Sequence, residues 1–315
     1  MTSCLICGGT RLTLLYDEVR DHFGVDPGTY RFLRCAACGS ASLDPLPTLA
    51  RLAEIYPADY TFKPAGDGGL RGLVQRLEWQ LFYLCAYRRR VRAFRDLTGV
   101  RVGRVLEVGC GSGLFLEVLR GAGYEVEGLE TSEGDARYAR ERLGLSVVHG
   151  ALDTPGLMPG RYDAVLLVNV LEHILDPQDA VSRIRRLLRP GGWVVLGIPV
   201  IDSGQARWLG ARWSAVTEAP RHVSIPSVAG ARRLLEGAGF VDVRTAPSPL
   251  LENAGHVALS LFPAAASPLA QGRRRLLRRA AGALAMLPGL LVACAERLPG
   301  GPTTRAGTMF FAART

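Results

Sequence analysis

The sequence predicts an α/β fold, a doubly wound sheet of buried parallel strands with helices between them. Three observations predict it. Apolar runs near 103–108, 125–130, 145–149, 163–168, 193–198 and 240–245 alternate with helical patterns, the signature of repeated strand–helix–strand units. The first run ends in glycines at alternate positions, Gly109, Gly111 and Gly113. An apolar helix pattern then starts at Leu114, Phe115, Val118 and Leu119. Such a strand–turn–helix lets backbone approach a ligand closely, because no Cβ stands in the way. The spacing is G-x-G-x-G, not the G-x-G-x-x-G of dinucleotide sites. Glu107, two residues before the first glycine, suits a ligand with a cationic end better than a pyrophosphate.

The later elements follow the same logic. Glu125–Glu130 is a short strand that ends in an acid, 17 residues after Gly113. An acid at the end of a second strand can hold both hydroxyls of a ribose. Residues 162–177 form an apolar run that leads into Asn169, Glu172 and His173. Residues 188–199 read as a turn and another buried strand, 234–246 as helix, glycine stop and strand, and 308–314 as a last strand. These motifs, in this order, resemble the class I S-adenosylmethionine-dependent methyltransferases. The likeness is strongest to the broad group with V-L-E-H-hydrophobic-x-D-P after the fourth strand, and it covers about residues 100–246 and the final strand.

The resemblance implies a seven-stranded, Rossmann-like methyltransferase sheet whose last strand runs antiparallel between the fifth and sixth. It implies S-adenosylmethionine as cofactor. Glu107 and the loop Gly109, Cys110, Gly111 and Gly113 would contact the methionine part, and Glu130 the ribose. Ala151 and Leu152 would lie around the adenine, and Asn169 beside the methyl donor. The chain departs from relatives with an Asp just after the third-strand glycine: here Gly150 is followed by Ala151 and Leu152, with Asp153 late.

The totals agree with a globular enzyme. The chain has 315 residues, 48% of them hydrophobic, and no apolar run of the length a spanning helix needs. The formal charge of +9 is uneven: residues 101–250 balance, while residues 251–315 carry an excess of six positive charges. A neutral catalytic region argues against a nucleic-acid partner. The opening residues show no secretory signal, so a cytoplasmic location is expected.

Cys4-Leu-Ile-Cys7-Gly and Cys35-Ala-Ala-Cys38-Gly are matched knuckles separated by 27 residues. Four thiolates so spaced suit a structural zinc ion; a redox or vestigial site is the alternative. Residues 8–34 hold four acids and four arginines, so the module is neutral and reads as a stapled small domain. With the Tyr56-Pro-x-x-Tyr60 segment behind it, this N-terminal pattern is similar to a bacterial subgroup that includes sugar C-methyltransferases and enzymes of polysaccharide or natural-product biosynthesis. That resemblance implies that Tyr56 and Tyr60 help close over the cofactor; packing a helix onto the domain is the other reading.

The expected organisation is a zinc-binding module and connecting helix over 1–62, a linker and long amphipathic helix over 63–99, and the methyltransferase domain over 100–315. Two insertions, 200–224 and 247–306, sit where acceptors are selected. The run Pro220-Arg221-His222 resembles the approach to the last helix in sugar C-methyltransferases, which implies His222 as a general base, walled by Trp208 and Trp213. His173 is the rival. For both, a capping or core histidine is the plainer reading. In the second insertion, arginines at 273–279 precede an apolar, Pro-Gly-broken segment to 296. It reads either as a helical pair over the acceptor pocket or as a peripheral contact with an anionic membrane face. The expected reaction is methylation of oxygen or carbon on a sugar, glycan or secondary-metabolite intermediate. The alternatives are a zinc-bearing RNA methyltransferase and a non-catalytic cofactor-binding module.

Overall fold

A computed structural model describes residues 2–56, 61, 63, 83–262, 275–296 and 306–315. Three antiparallel strands come first: β1 (Leu12–Arg20), β2 (Thr29–Cys35) and β3 (Ala41–Asp44). Helix α1 (Leu49–Ile55) is capped by the Thr48 hydroxyl, which accepts from the Arg51 N–H. Helix α2 (Leu84–Thr98) stops at Gly99, whose φ of +74° is left-handed. The expected helix over 70–97 is thus described from Leu84 onward; its first part and the 64–69 linker lie outside the described residues.

Strands and helices then alternate: β4 (Arg104–Val108), α3 (Leu114–Gly121), β5 (Glu125–Glu130), α4 (Glu133–Leu143), β6 (Val147–His149), β7 (Tyr162–Val168), a 3-10 turn (Leu171–His173), α5 (Pro177–Leu187) and β8 (Leu188–Pro199). Side-chain caps from Ser132 and Asp176 start α4 and α5, with Pro177 opening α5. The remaining elements are α6 (Gly204–Leu209), α7 (Ser214–Thr217), β9 (Ser224–Ile225), α8 (Val228–Gly237), β10 (Val241–Pro247), α9 (Leu250–Leu261), α10 (Arg275–Ala295) and β11 (Thr308–Arg314).

The main sheet has seven strands in the order β10-β11-β8-β7-β4-β5-β6. Strand β11 is antiparallel to both neighbours, and the β5–β4–β7–β8 pairings are parallel. The expected fold class therefore holds. The order reverses at β4, so the carboxyl ends of β4, β5 and β7 frame the crevice where ligands of such sheets bind. Strand β8 starts earlier than expected. The Pro190-Gly191-Gly192 stretch, which reads as a turn, is a bulge: the register jumps from Tyr162↔Leu188 to Ala164↔Trp193, with Gly191 at φ +76°.

The N-terminal strands do not form a free-standing layer. Strand β9, at the end of the 200–224 insertion, adds to β3 and completes a four-stranded sheet. Cys4, Ile6, Cys35 and Cys38 share one apolar cluster with Ala231 and Leu234 of α8. The knuckles are also tied down by hydrogen bonds: Ser227 to the Cys38 carbonyl, Arg233 to the Ala37 carbonyl at 3.1 Å and Gln178 to the Leu5 carbonyl at 3.1 Å. Deeper in, Arg221 pairs with Asp21 at 3.0 Å, and both side chains are fully buried.

The second insertion contributes α9 and α10, which pack on each other. Gly289, beside Pro288 in α10, lies against the Ala254 backbone so closely that any side chain there would clash. Leu284, Leu287 and Leu291 of α10 are exposed. No helix among the described residues is long and apolar enough to cross a membrane.

The Arg221–Asp21 pair yields a test. Asp21 also accepts the backbone N–H groups of Phe23, Val25 and Asp26. Asp21→Ala removes the nearer of two carboxylates that face a buried guanidinium, leaving Glu218 at 3.8 Å, and frees three amides, so stability should fall by about 3–5 kcal/mol. Urea unfolding reads it; an unchanged midpoint would show that the pair contributes nothing.

Candidate functional site

The loop between β4 and α3 bends back under the carboxyl end of β5. Gly109 N–H donates to the Leu129 carbonyl at 2.7 Å, and Gly109, Gly111 and Gly113 all have positive φ. A side chain at Gly109 would also run into Val170, and one at Gly113 into Leu145 and Ala139. Both backbone conformation and space therefore demand glycine. Cys110 turns its buried sulfur inward against Gly128, and burial pushes its thiol pKa up. It serves the loop through its backbone.

Two acids end the first two strands. Glu130 accepts from Gly111 N–H at 2.7 Å and from Ser132 N–H at 2.8 Å, which fixes its carboxylate at the rim of the loop. Burial raises its pKa, and those amide donors oppose the rise. Glu107 is buried, and its Oε2 has no hydrogen-bond partner among the described residues. Burial pushes its pKa up to about 8, against the pull of Arg90. An acid in that state is poised for a cation.

Thr61 and Lys63 reach over the same loop. Both contact Asp135, at 2.8 Å and 2.6 Å, and Thr61 sits where a side chain on Gly111 would go. Thr61 and Lys63 therefore border the cradle. Tyr60, expected to contact the cofactor, lies outside the described residues.

The third edge of the crevice follows β7. Asn169 is exposed at the strand end with φ +56°, a left-handed conformation that Asn tolerates better than most residues. Glu172 and His173 come next, on the 3-10 turn. His222 packs its ring on His173, centroids 4.6 Å apart, edge to face. Tyr56 Oη lies 2.8 Å from His173 Nδ1. His222 Nδ1 donates to the Ala215 carbonyl at 2.7 Å, and Glu218 Oε2 stands 3.4 Å from its Nε2. Burial drives both imidazoles down to about 3. Burial also pushes Glu172 up to about 8.

The structure thus brings together Glu107, Gly109, Cys110, Gly111, Gly113 and Glu130 on one side and His173 with His222 on the other. The Ala151 N–H donates to the Thr154 hydroxyl at 2.9 Å, and Leu152 packs against the main core. One expectation is corrected. The aromatic wall beside His222 does not form, because Trp213 is wholly buried in the core under the N-terminal sheet and Trp208 is exposed. Sequence reasoning missed the Arg221–Asp21 pair and gave no role to Glu172. The only signal for the latter was its place beside His173.

Residues 79–245, just over half of the chain, match the family described as a methyltransferase domain. The chain belongs to that family. An O-methyltransferase of ubiquinone biosynthesis from Thiobacillus denitrificans is 40% identical to this methyltransferase-domain protein over 97 residues, 29% of this chain and 42% of that one. Its counterpart from Bordetella avium is 36% identical over 112 residues, 33% and 46% of the two chains. The methyltransferase-domain protein spans under half the length of these two curated relatives. Among solved structures, the geranyl diphosphate C-methyltransferase of Streptomyces coelicolor A3(2) shares 16% identity at a TM-score of 0.50, over 79% of this chain and 82% of that one. The cyclopropane synthase MmaA2 of Mycobacterium tuberculosis shares 17% identity at a TM-score of 0.50, over 72% and 84%. Both share the fold.

The four cysteines of this methyltransferase-domain protein converge. Cys4 Sγ and Cys38 Sγ are 3.7 Å apart, as are Cys7 Sγ and Cys35 Sγ, and all four sulfurs lie within 4.8 Å of one another. A tetrahedron with zinc–sulfur bonds near 2.3 Å has edges of about 3.8 Å. Gly8 and Gly39, after each pair, are left-handed and close the knuckle turns onto the Cys4 and Cys35 carbonyls.

The buried acid makes stability pH-dependent. Glu107 holds its proton to about pH 8 when folded but releases it near 4.5 when unfolded, so stability falls as pH rises between those values. The two buried histidines act oppositely: folded they stay neutral above about pH 3, unfolded they charge below 6.5, so stability rises across that range. Glu172, also pushed up to about 8, acts as Glu107 does, so above pH 6.5 these two acids set the slope. The melting temperature of the cofactor-free protein should fall from pH 6.5 to 8, and Glu107→Gln should make that fall shallower. Equal slopes in both proteins would mean that Glu107 ionises normally.

Proposed function

We propose that this protein transfers a methyl group from S-adenosylmethionine to an oxygen or carbon of a small molecule, a sugar, glycan or secondary-metabolite intermediate. The observation that carries the reading is the pair of acids across the glycine loop: Glu130 fixed by backbone amides, and Glu107 buried with an Oε2 that has no hydrogen-bond partner among the described residues. Glu107 suits the cationic amino group of the cofactor's methionine part, and Glu130 suits the ribose hydroxyls. The exposed Asn169 and the side chains of Thr61 and Lys63 border the same cradle. The bound cofactor supplies an electrophilic methyl group on a sulfonium sulfur.

Transfer of that methyl is an in-line displacement, so the protein's main task is to position the acceptor and exclude water. An acceptor hydroxyl or acidic carbon also gives up a proton. His222 and His173 stand on that side and present neutral rings. The neutral charge balance of residues 101–250 favours a small-molecule acceptor over RNA. The relatives named as O-methyltransferases support the same class. Cys4, Cys7, Cys35 and Cys38 would hold a structural zinc ion that fixes the N-terminal sheet against α8.

Calorimetry with S-adenosylmethionine should show binding at one site per chain. Glu130→Ala should weaken it by about 1–3 kcal/mol through the loss of charge-assisted hydrogen bonds. Folded wild-type protein that binds no cofactor would sink the reading. Methyl uptake from labelled cofactor across nucleotide sugars and hydroxylated metabolites then identifies the acceptor.

The zinc assignment is checked by elemental analysis of protein purified without added metal. One zinc per chain is expected, with loss in Cys35→Ser. Wild type free of metal, yet folded and active, would overturn it.

A further inference from the structure

Helix α9 carries polar groups that methyl transfer, as read above, leaves unused. Glu252, His256 and Ser260 follow one another at four-residue spacing, so they share one stripe of the helix. Neighbouring positions are spent on packing: Ala254 lies against Gly289 of α10, and Asn253 bonds Thr308 of β11. The stripe turns instead to the crevice. Glu252 Oε1 accepts from Arg90 Nε of α2, whose guanidinium rests over the rings of Tyr87 and Phe115. Arg90 is near enough to Glu107 to oppose the rise of its pKa. One turn further along α9, His256 senses the charges of Glu218 and Arg90, and His222 senses His256. The stripe therefore spans from the Glu107 side of the crevice to the His222 side.

Two atoms on it are unused. Glu252 Oε2 is buried and has no hydrogen-bond partner among the described residues. His256 Nδ1 lies 3.0 Å from Ser214 Oγ at the start of α7. Ser214 is buried, and its hydroxyl has that nitrogen as its one partner among the described residues. The hydroxyl proton therefore goes to Nδ1, which places the imidazole proton on Nε2. That Nε2–H has no partner among the described residues, and the ring is half-buried. Burial lowers its pKa, so the ring is neutral at pH 7.

We infer that Glu252 and His256 form the wall that recognises the acceptor, and that the acceptor presents to it the hydroxyls of a neutral sugar ring. The inference deepens the methyl-transfer reading and rests on it for its purpose. The wall offers one accepting atom, Glu252 Oε2, and one donor, His256 Nε2–H. A hydroxyl both gives and takes a hydrogen bond, so hydroxyl groups satisfy the two together. An apolar acceptor would leave both unpaired in a desolvated place, which is costly. An anionic one would meet Glu252 and Glu218 without a counter-charge, since the guanidinium groups nearby are committed, Arg90 to Glu252 and Arg221 to Asp21.

The test uses the full chain with S-adenosylhomocysteine present and reads binding by saturation-transfer nuclear magnetic resonance. The probes are methyl α-glucoside and methyl α-galactoside, with methyl α-glucuronide as their anionic counterpart. Wild type should bind a neutral glycoside and not the glucuronide. His256→Leu should weaken that binding about tenfold, the effect of one lost hydrogen bond to a buried group. His256→Gln, which keeps an N–H near the same place, should restore most of it, a recovery that a packing role would not give. Glu252→Gln should also weaken it. Thermal unfolding shows which variants are folded; where His256→Leu is not, Glu252→Gln decides. The wall is overturned if wild type binds neither neutral glycoside, if it prefers the glucuronide, or if the folded deciding variant binds as wild type does. Glycoside binding that behaves as expected in a protein that takes up no cofactor sinks the methyl-transfer reading and leaves the wall standing.

Discussion

One short segment, Arg221–Ile225, holds the His173–His222 side of the crevice together. The Val223 N–H donates to the Glu172 carbonyl at 2.8 Å, and the Val223 carbonyl accepts from Leu43 N–H at 2.9 Å. On either side, Arg221 is sealed against Asp21 of the N-terminal sheet, and Ser224 and Ile225 pair with β3. The segment is thus a rivet between the methyltransferase sheet and the cysteine-bearing layer. His222 rides on it. Its neighbours Arg221 and Val223 are held by the N-terminal layer, while its ring meets the Ala215 carbonyl and His173.

How much of this was legible depends on sequence distance. The glycine turn, Glu107 and Glu130 were legible because strand, turn and helix are contiguous, and each glycine answers a local backbone demand. The antiparallel β11 was legible only through family resemblance, since nothing in GTMFFAAR fixes its direction. The β8 bulge was misread because Pro190-Gly191-Gly192 carries turn chemistry, and pairing with β7 overrides it. Strand β9 was not legible at all: two residues have no periodicity, and β3 alone makes them a strand. The Glu172–His173–His222 cluster joins residues from a 3-10 turn and from beyond an insertion. Such a meeting is a property of the tertiary fold and leaves no mark in a local pattern.

The electrostatics divide the crevice. On the cofactor side, Glu107 and Glu130 are acids kept from water beside the loop amides. Past the end of β7, burial makes Glu172 hard to ionise and the two imidazoles hard to charge. Both halves hold groups whose natural charge is suppressed by desolvation, and such groups gain most from a ligand of opposite charge. The protein keeps them by means of the rigid frame around them, chiefly the Arg221–Asp21 pair and the pairing of β3 with β9.

Strands β10 and β11 lie side by side, with Pro247 paired to Met309. Everything between them therefore leaves and re-enters the sheet at adjacent points, as an outsized hairpin loop. Closing a longer loop costs only about 0.6 kcal/mol for each doubling of its length. The ties of α9 to the frame are specific: Asn253 bonds the Thr308 N–H and carbonyl at the start of β11, and Glu252 pairs with Arg90. Segments of the hairpin outside those contacts can change length at little cost to the sheet beneath them. This hairpin is where related chains can diverge in what they accept while keeping one way of holding the donor.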